Sequence, residues 1–100
     1  MKYLLAHDLG TSGDKATLFS TEGKLMGSAV HSYDTHYFND TWVEQDPDDW
    51  WNAVCESTRG LLASCHTDPA DIAAVSFSGQ MMGCLCVDRE GRPLRPSIIW

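Results

Sequence analysis

One stretch of this sequence marks out a long helix residue by residue, and the remaining elements must be arranged around it. Asp46 is a natural N-cap, Pro47 suits the first helical position, and Asp48 and Asp49 suit the positive end of a helix dipole. Trp50, Val54, Leu61 and Cys65 then recur at helical spacing, with Trp51, Cys55 and Leu62 beside them. The pattern predicts one amphipathic helix from Pro47 to Cys65, with Trp50 and Trp51 in its core-facing half. His66-Thr67-Asp68-Pro69 ends it.

What precedes the helix reads as strands. Tyr3 to Leu9 is rich in strand formers and runs into the turn residues Gly10-Thr11-Ser12-Gly13. Ala16 to Phe19 is a second strand, Thr21 to Lys24 a short turn with Gly23 free to take positive φ, and Leu25 to Val30 a third strand. Such short connections imply antiparallel pairing. Residues 31 to 45 lack clean periodicity and read as an aromatic-rich loop. After the helix, Ile72 to Ser78 is a nearly continuous apolar run, the mark of a strand buried on both faces. A helix of this length crosses over and sets that strand parallel to one of the first three. A Gly-bounded turn from Gly79 to Gly83, a strand from Cys84 to Val87, a hairpin loop from Asp88 to Pro93 and a return over Leu94 to Trp100 complete the chain. The fold class is α/β: a mixed sheet of three antiparallel strands, a crossover helix and a further parallel strand. The chain stops inside the apolar run Ile98-Ile99-Trp100, so it is expected to be cut short rather than to end a natural domain.

At 100 residues the chain has room for one domain, and a hydrophobic fraction of 43% argues for a packed core rather than disorder. A net charge of −7, with seven Lys and Arg scattered from Lys2 to Arg95, argues against nucleic acid, whose backbone needs a concentrated cationic face. The same charge means that a phosphate site would depend on backbone N–H groups and a bridging divalent cation. The apolar residues from Tyr3 to Ala6 are too few for a signal peptide, and no stretch approaches a membrane span. A cytoplasmic protein is expected. Cys55, Cys65, Cys84 and Cys86 lack the spacing of a zinc site, and the Cys84-x-Cys86 pair is expected to act as small hydrophobes on one strand face.

The segment from Asp8 to Lys15 carries the chemistry. A strand that ends in an Asp and turns at once through Gly-Thr-Ser-Gly sets a carboxylate beside exposed backbone N–H groups. Glycine lets the chain approach a phosphate without a Cβ in the way. Asp8 could then hold magnesium, with Gly10, Thr11, Ser12, Gly13 and Lys15 around the phosphates. An ordinary hairpin turn with an Asp cap satisfies the same residues. The segment is no P-loop, since no Gly-Lys-Ser/Thr closes it and a strand follows it.

Three blocks in order carry a resemblance: Asp8-Leu9-Gly10-Thr11-Ser12-Gly13-Asp14-Lys15, then Trp42-Val43-Glu44-Gln45-Asp46-Pro47 with Trp50-Trp51, then Ser78-Gly79-Gln80-Met81-Met82-Gly83. Together they resemble the amino-terminal blocks of the FGGY carbohydrate kinases, with the xylulokinase group the nearest members, and cover the chain almost end to end. The resemblance implies an actin-like (ribonuclease H-like) ATPase fold, of which residues 1 to 100 form the amino-terminal part of the first domain. It implies ATP and Mg2+ as cofactors and transfer of the γ-phosphate to a sugar hydroxyl, with a ketose such as xylulose as acceptor. The first block then faces the phosphates and the metal, and Gln80, Met81 and Met82 line the sugar pocket. In this family the catalytic base is an Asp far beyond residue 100 and the adenine pocket belongs to the second domain, so these 100 residues alone are expected to be inactive.

Two positions depart from the family pattern. Where the xylulokinases have a His after the first Met, this chain has Met82, and a thioether is a poor hydrogen-bond acceptor. Glycerol kinases place charged side chains in this block, and Met81 and Met82 carry none. His7 stands where the family has an aliphatic residue; it shares a strand face with Leu5 and Leu9 and is expected to be packed. Trp42, Glu44 and Gln45 either line the rim of the sugar pocket or build the entry to the helix. The expected partners are ATP and a small sugar or polyol, with no nucleic acid or membrane, and a homodimer of the full-length enzyme stays open. So do three alternatives: a non-catalytic sugar- or phosphate-binding module, an ATPase of the same fold with another acceptor, and a kinase for another polyol or an aldonate.

Overall fold

A computed structural model describes residues 1 to 99. Strand β1 (Tyr3–Leu9) pairs antiparallel with β2 (Gly13–Ser20), and β2 with β3 (Leu25–Ser32). The expected meander is present. The β2–β3 turn carries Gly23 at φ +87, and the Ser20 hydroxyl accepts from the backbone N–H groups of Glu22 and Lys24.

Helix α1 spans Pro47–Ser64, with Cys65 as its C-cap. The Asp46 carboxylate accepts the Asp48 N–H at 2.9 Å, as its place before Pro47 predicts. α1 lies over β2 and β3 and buries Ala53, Val54, Ser57 and Leu61. Leu61 closes a core with Leu5, Ala16 and Leu18. Trp50 is half-buried, but Trp51 is 67% exposed. The expectation of a core Trp51 is therefore corrected: one residue along a helix turns the side chain by about 100°, away from the packed stripe.

After a 3₁₀ turn at Pro69–Asp71, β6 (Ile72–Gly79) runs parallel to β1, giving the sheet order β3-β2-β1-β6. The parallel crossover is as predicted, and within these 100 residues the expected burial of β6 is incomplete. Val75 is 49% and Phe77 55% exposed, because β6 forms the sheet edge and α1 covers the other end.

Residues 31 to 45 hold a hairpin that the sequence reading assigned to loop. Strand β4 (His36–Phe38) pairs antiparallel with β5 (Trp42–Gln45), across a bend in which Asn39 and Asp40 take φ +48 and +61. Short polar side chains tolerate that left-handed region better than most. A third strand, β7 (Ser97–Ile98), pairs with β5. The predicted strand over Cys84 to Val87 is reduced to two isolated bridges, Cys84 to Ile98 and Val87 to Pro93. Pro93 and Pro96 have no N–H to donate, so a continuous ladder cannot form there. Trp100, the expected last strand residue, lies outside the described residues. Cys84 and Cys86 are exposed rather than packed, and all four cysteines are free thiols.

Candidate functional site

Because β1 and β6 are parallel neighbours, their carboxyl ends emerge side by side, with Leu9 paired to Gly79. The Gln80 N–H donates to the Leu9 carbonyl at 2.7 Å and ties the turn after β6 to the turn after β1. In open α/β sheets, this edge is where ligands bind.

Asp8, Gly10, Ser12, Gly13 and Lys15 line one concavity of about 260 Å³, together with Val30 and Ser32 of β3. The structure thus brings together five of the six residues singled out in this block. The sixth, Thr11, belongs to the same turn but not to that wall. Asp8 is exposed, and Ser78 Oγ donates to its carboxylate at 3.2 Å. The turn is braced from behind. The Tyr33 hydroxyl donates to the Gly10 carbonyl, the Tyr33 N–H to the Ser12 carbonyl at 3.3 Å, and the Gly10 N–H to the Gly13 carbonyl at 3.0 Å. Burial, with the Asp14 and Asp8 carboxylates adding to it, pushes the Tyr33 phenol up to about 12, so it is a neutral donor at ordinary pH. Gly13 serves a purpose other than clearance for a ligand. A Cβ there would sit 2.7 Å from the His31 carbonyl oxygen, so β3 packs too closely to admit one.

Beneath the turn lies a buried polar cluster. His7, 2% exposed, is packed as expected, but on polar partners. Its Nδ1 meets Asp14 Oδ2 at 2.6 Å and its Nε2 meets Thr58 Oγ1 at 3.1 Å. Ser57 Oγ donates to the same Asp14 oxygen at 2.8 Å. His7 and Asp14 are not direct strand partners but lie on one diagonal of the β1–β2 pair, a spacing visible only once the register is known.

A second cavity, of about 340 Å³, opens beside Leu9 and is walled by Trp50, Gln80, Met82, Leu85 and Ile99, among others. Among the described residues its lining is largely apolar and holds no carboxylate or imidazole side chain. Met82 carries φ +67, a left-handed conformation that is uncommon outside glycine. Met81, 82% exposed, does not line this cavity. Trp42, 54% exposed, belongs to a different concavity beside the Glu44–Arg95 ion pair, and stands edge-on to Phe38 at 5.5 Å. Gln45 is fully buried and so not at any rim. It joins the two turns through its side chain, a role that single-sequence reading does not reveal because its partners are scattered along the chain.

A meander, a crossover helix, a parallel return strand and a polar turn at the end of the first strand make this chain part of an actin-like ATPase fold. The N-terminal domain of the FGGY family of carbohydrate kinases matches residues 3–100, and the chain belongs to that family. It is 37% identical over its whole length to a xylulose kinase of Staphylococcus xylosus, covering 20% of that relative. Over 98% of its length it is 34% identical to a glycerol kinase of Trichormus variabilis, again covering 20%. Among solved structures, the ligand-bound xylulose kinase from Lactobacillus acidophilus superposes with a TM-score of 0.87 at 28% identity, over 98% of this chain and 19% of that one. The chain therefore spans about a fifth of the length of the relatives it matches.

Proposed function

We propose that these residues are the amino-terminal part of an ATP-dependent carbohydrate kinase that phosphorylates a hydroxyl of a ketose such as xylulose. The observation that carries this reading is the parallel pairing of β1 with β6, which joins the polar concavity at Asp8 to the cavity at Gln80 through the Leu9–Gln80 bond. A phosphoryl donor on one turn then lies next to an acceptor on the other, the proximity that phosphoryl transfer needs.

The residues of the first turn fit a magnesium nucleotide. Among the described residues no group of three or more His, Cys, Asp or Glu side chains forms a metal cage. Magnesium does not need one: it binds through one or two carboxylates, water and substrate phosphates. Asp8 would supply that carboxylate, and the Thr11 and Ser12 hydroxyls and Lys15 would meet phosphate oxygens. Bound there, the metal would neutralise charge on the phosphates. Gln80 presents an amide to the acceptor cavity, and the resemblance to the carbohydrate kinases implies that the proton acceptor is an Asp further along the full-length protein. The uncharged Met82 in the cavity wall supports a ketose over glycerol. Four free thiols suit a reducing, cytoplasmic compartment.

The test is turnover of ATP by the full-length protein against pentuloses, hexuloses, polyols and aldonates. The expected result is phosphorylation of a pentulose, with Asp8→Ala lowering kcat by about 100-fold or more while KM for the sugar stays within about threefold. A normal kcat in Asp8→Ala would reduce Asp8 to a turn cap, and no turnover with any acceptor would leave a binding module in place of a kinase.

A further inference from the structure

Gln45 directly precedes the N-cap of α1 and is 0% exposed. A buried primary amide has two N–H donors and two acceptor lone pairs to satisfy. All four are matched here. Nε2 donates to the Thr11 carbonyl at 2.7 Å and to the Thr35 hydroxyl at 2.8 Å. Oε1 accepts from the Trp50 indole N–H at 2.9 Å and from the Gln80 side-chain amide at 2.7 Å. The orientation is fixed, because a carbonyl can only accept and an indole N–H can only donate. A flipped amide would set oxygen against oxygen at Thr11 and N–H against N–H at Trp50.

These partners come from the turn after β1, the approach to β4, the first turn of α1 and the turn after β6. Thr35 Oγ1 adds its own bond to the Thr11 carbonyl at 3.2 Å. Gln80 is held twice, by its side chain on Gln45 and by its backbone N–H on Leu9. That leaves the Gln80 carbonyl oxygen and its second N–H for the cavity it lines.

We infer that Gln45 is a positioning residue for phosphoryl transfer: one buried amide that holds the phosphate-side turn at Thr11 and the acceptor-side Gln80 in a single register. This rests on the kinase reading above. Gln45 touches neither substrate, so its loss is felt as misplacement of two groups that do. A displacement of about 1 Å costs on the order of 10²-fold in rate, whereas a lost binding contact appears in KM.

The test uses the full-length protein with ATP and the sugar that gives the highest turnover. Gln45→Glu keeps the length and the acceptor end but faces the Thr11 carbonyl with an oxygen. The expected result is a fall in kcat of at least about tenfold, with KM for ATP and for sugar each within about threefold and the circular dichroism spectrum retained. Thr35→Val removes only the hydroxyl that shares Nε2; it should lower kcat at least about threefold with the same constant KM values, and it decides the matter if Gln45→Glu does not fold. A smaller fall in the folded variant, or a change confined to one KM, overturns the inference. Absence of sugar-dependent turnover in the unsubstituted protein overturns the kinase reading instead, and the inference with it.

Discussion

β1 and β6 are parallel neighbours along seven residue pairs, yet within these 100 residues only β1 is enclosed. β1 carries a His and an Asp and still buries Leu5 to 4% and His7 to 2% exposure. β6, which carries no ionisable side chain, leaves Val75 and Phe77 about half exposed. The difference is company. β1 has a paired strand on each side and shares its core with α1, whereas among the described residues β6 has β1 on one side only. An apolar strand shows a need for burial; the neighbouring elements decide whether it is met.

The comparison can be broken most directly in the 100-residue chain by denaturant unfolding. Leu18→Ala, in the closed core, should destabilise by about 2–5 kcal/mol, and Val75→Ala, on the open strand, by about 0.5 kcal/mol or less. A loss above about 1.5 kcal/mol at Val75 would mean that β6 is covered after all. A smaller effect sharpens the point at the other edge of the polar turn. Gly13→Ala forces a Cβ against the His31 carbonyl and should cost about 1–3 kcal/mol in the same assay, while a neutral result would show that β3 can yield. A last effect is a pH dependence. The Tyr33 phenol titrates at 10.0 when unperturbed and at about 12 in the folded chain, so folding favours the protonated form. Its contribution is fully present below pH 10 and declines as pH rises from there towards 12. Tyr33→Phe should flatten the stability profile over that interval; an unchanged slope would assign the alkaline loss to other groups.

How far each element could be read depended on how local its cause is. The start of α1 was legible because Asp46, Pro47, Asp48 and Asp49 act within one turn of helix. The meander was legible because its turns are short. The β4–β5 hairpin was missed because its turn relies on Asn39 and Asp40 adopting positive φ, and an Asn-Asp pair between Tyr37-Phe38 and Trp42-Val43 was the available signal. Asp8, Gly10, Ser12, Gly13 and Lys15 lie around one concavity as a contiguous segment would suggest. Trp42 and Gln80 were grouped as one pocket but line separate concavities, since β5 carries Trp42 to the far side of the small sheet. Gln45 was visible as a residue and not as a link, because its partners Thr11 and Gln80 stand 34 and 35 positions away. The apolar run of β6 was legible as a need for cover, but nothing in it says which element supplies that cover, and within these 100 residues only β1 pairs with it.

The pairing of β1 with β6 also has a consequence in time. Tyr3 meets Ile72 and Asp8 meets Ser78, whereas β1, β2 and β3 close through short turns. Local closure is fast and distant closure must wait for its partner. As the chain leaves a ribosome at roughly 5–20 residues per second, the meander is available to fold while β1 keeps one edge unpaired for on the order of seconds. Over that interval the Asp8 turn exists without the Ser78 hydroxyl that bonds its carboxylate. The two turns thus come together in order of synthesis, the Asp8 turn first and the Gln80 turn when β6 arrives.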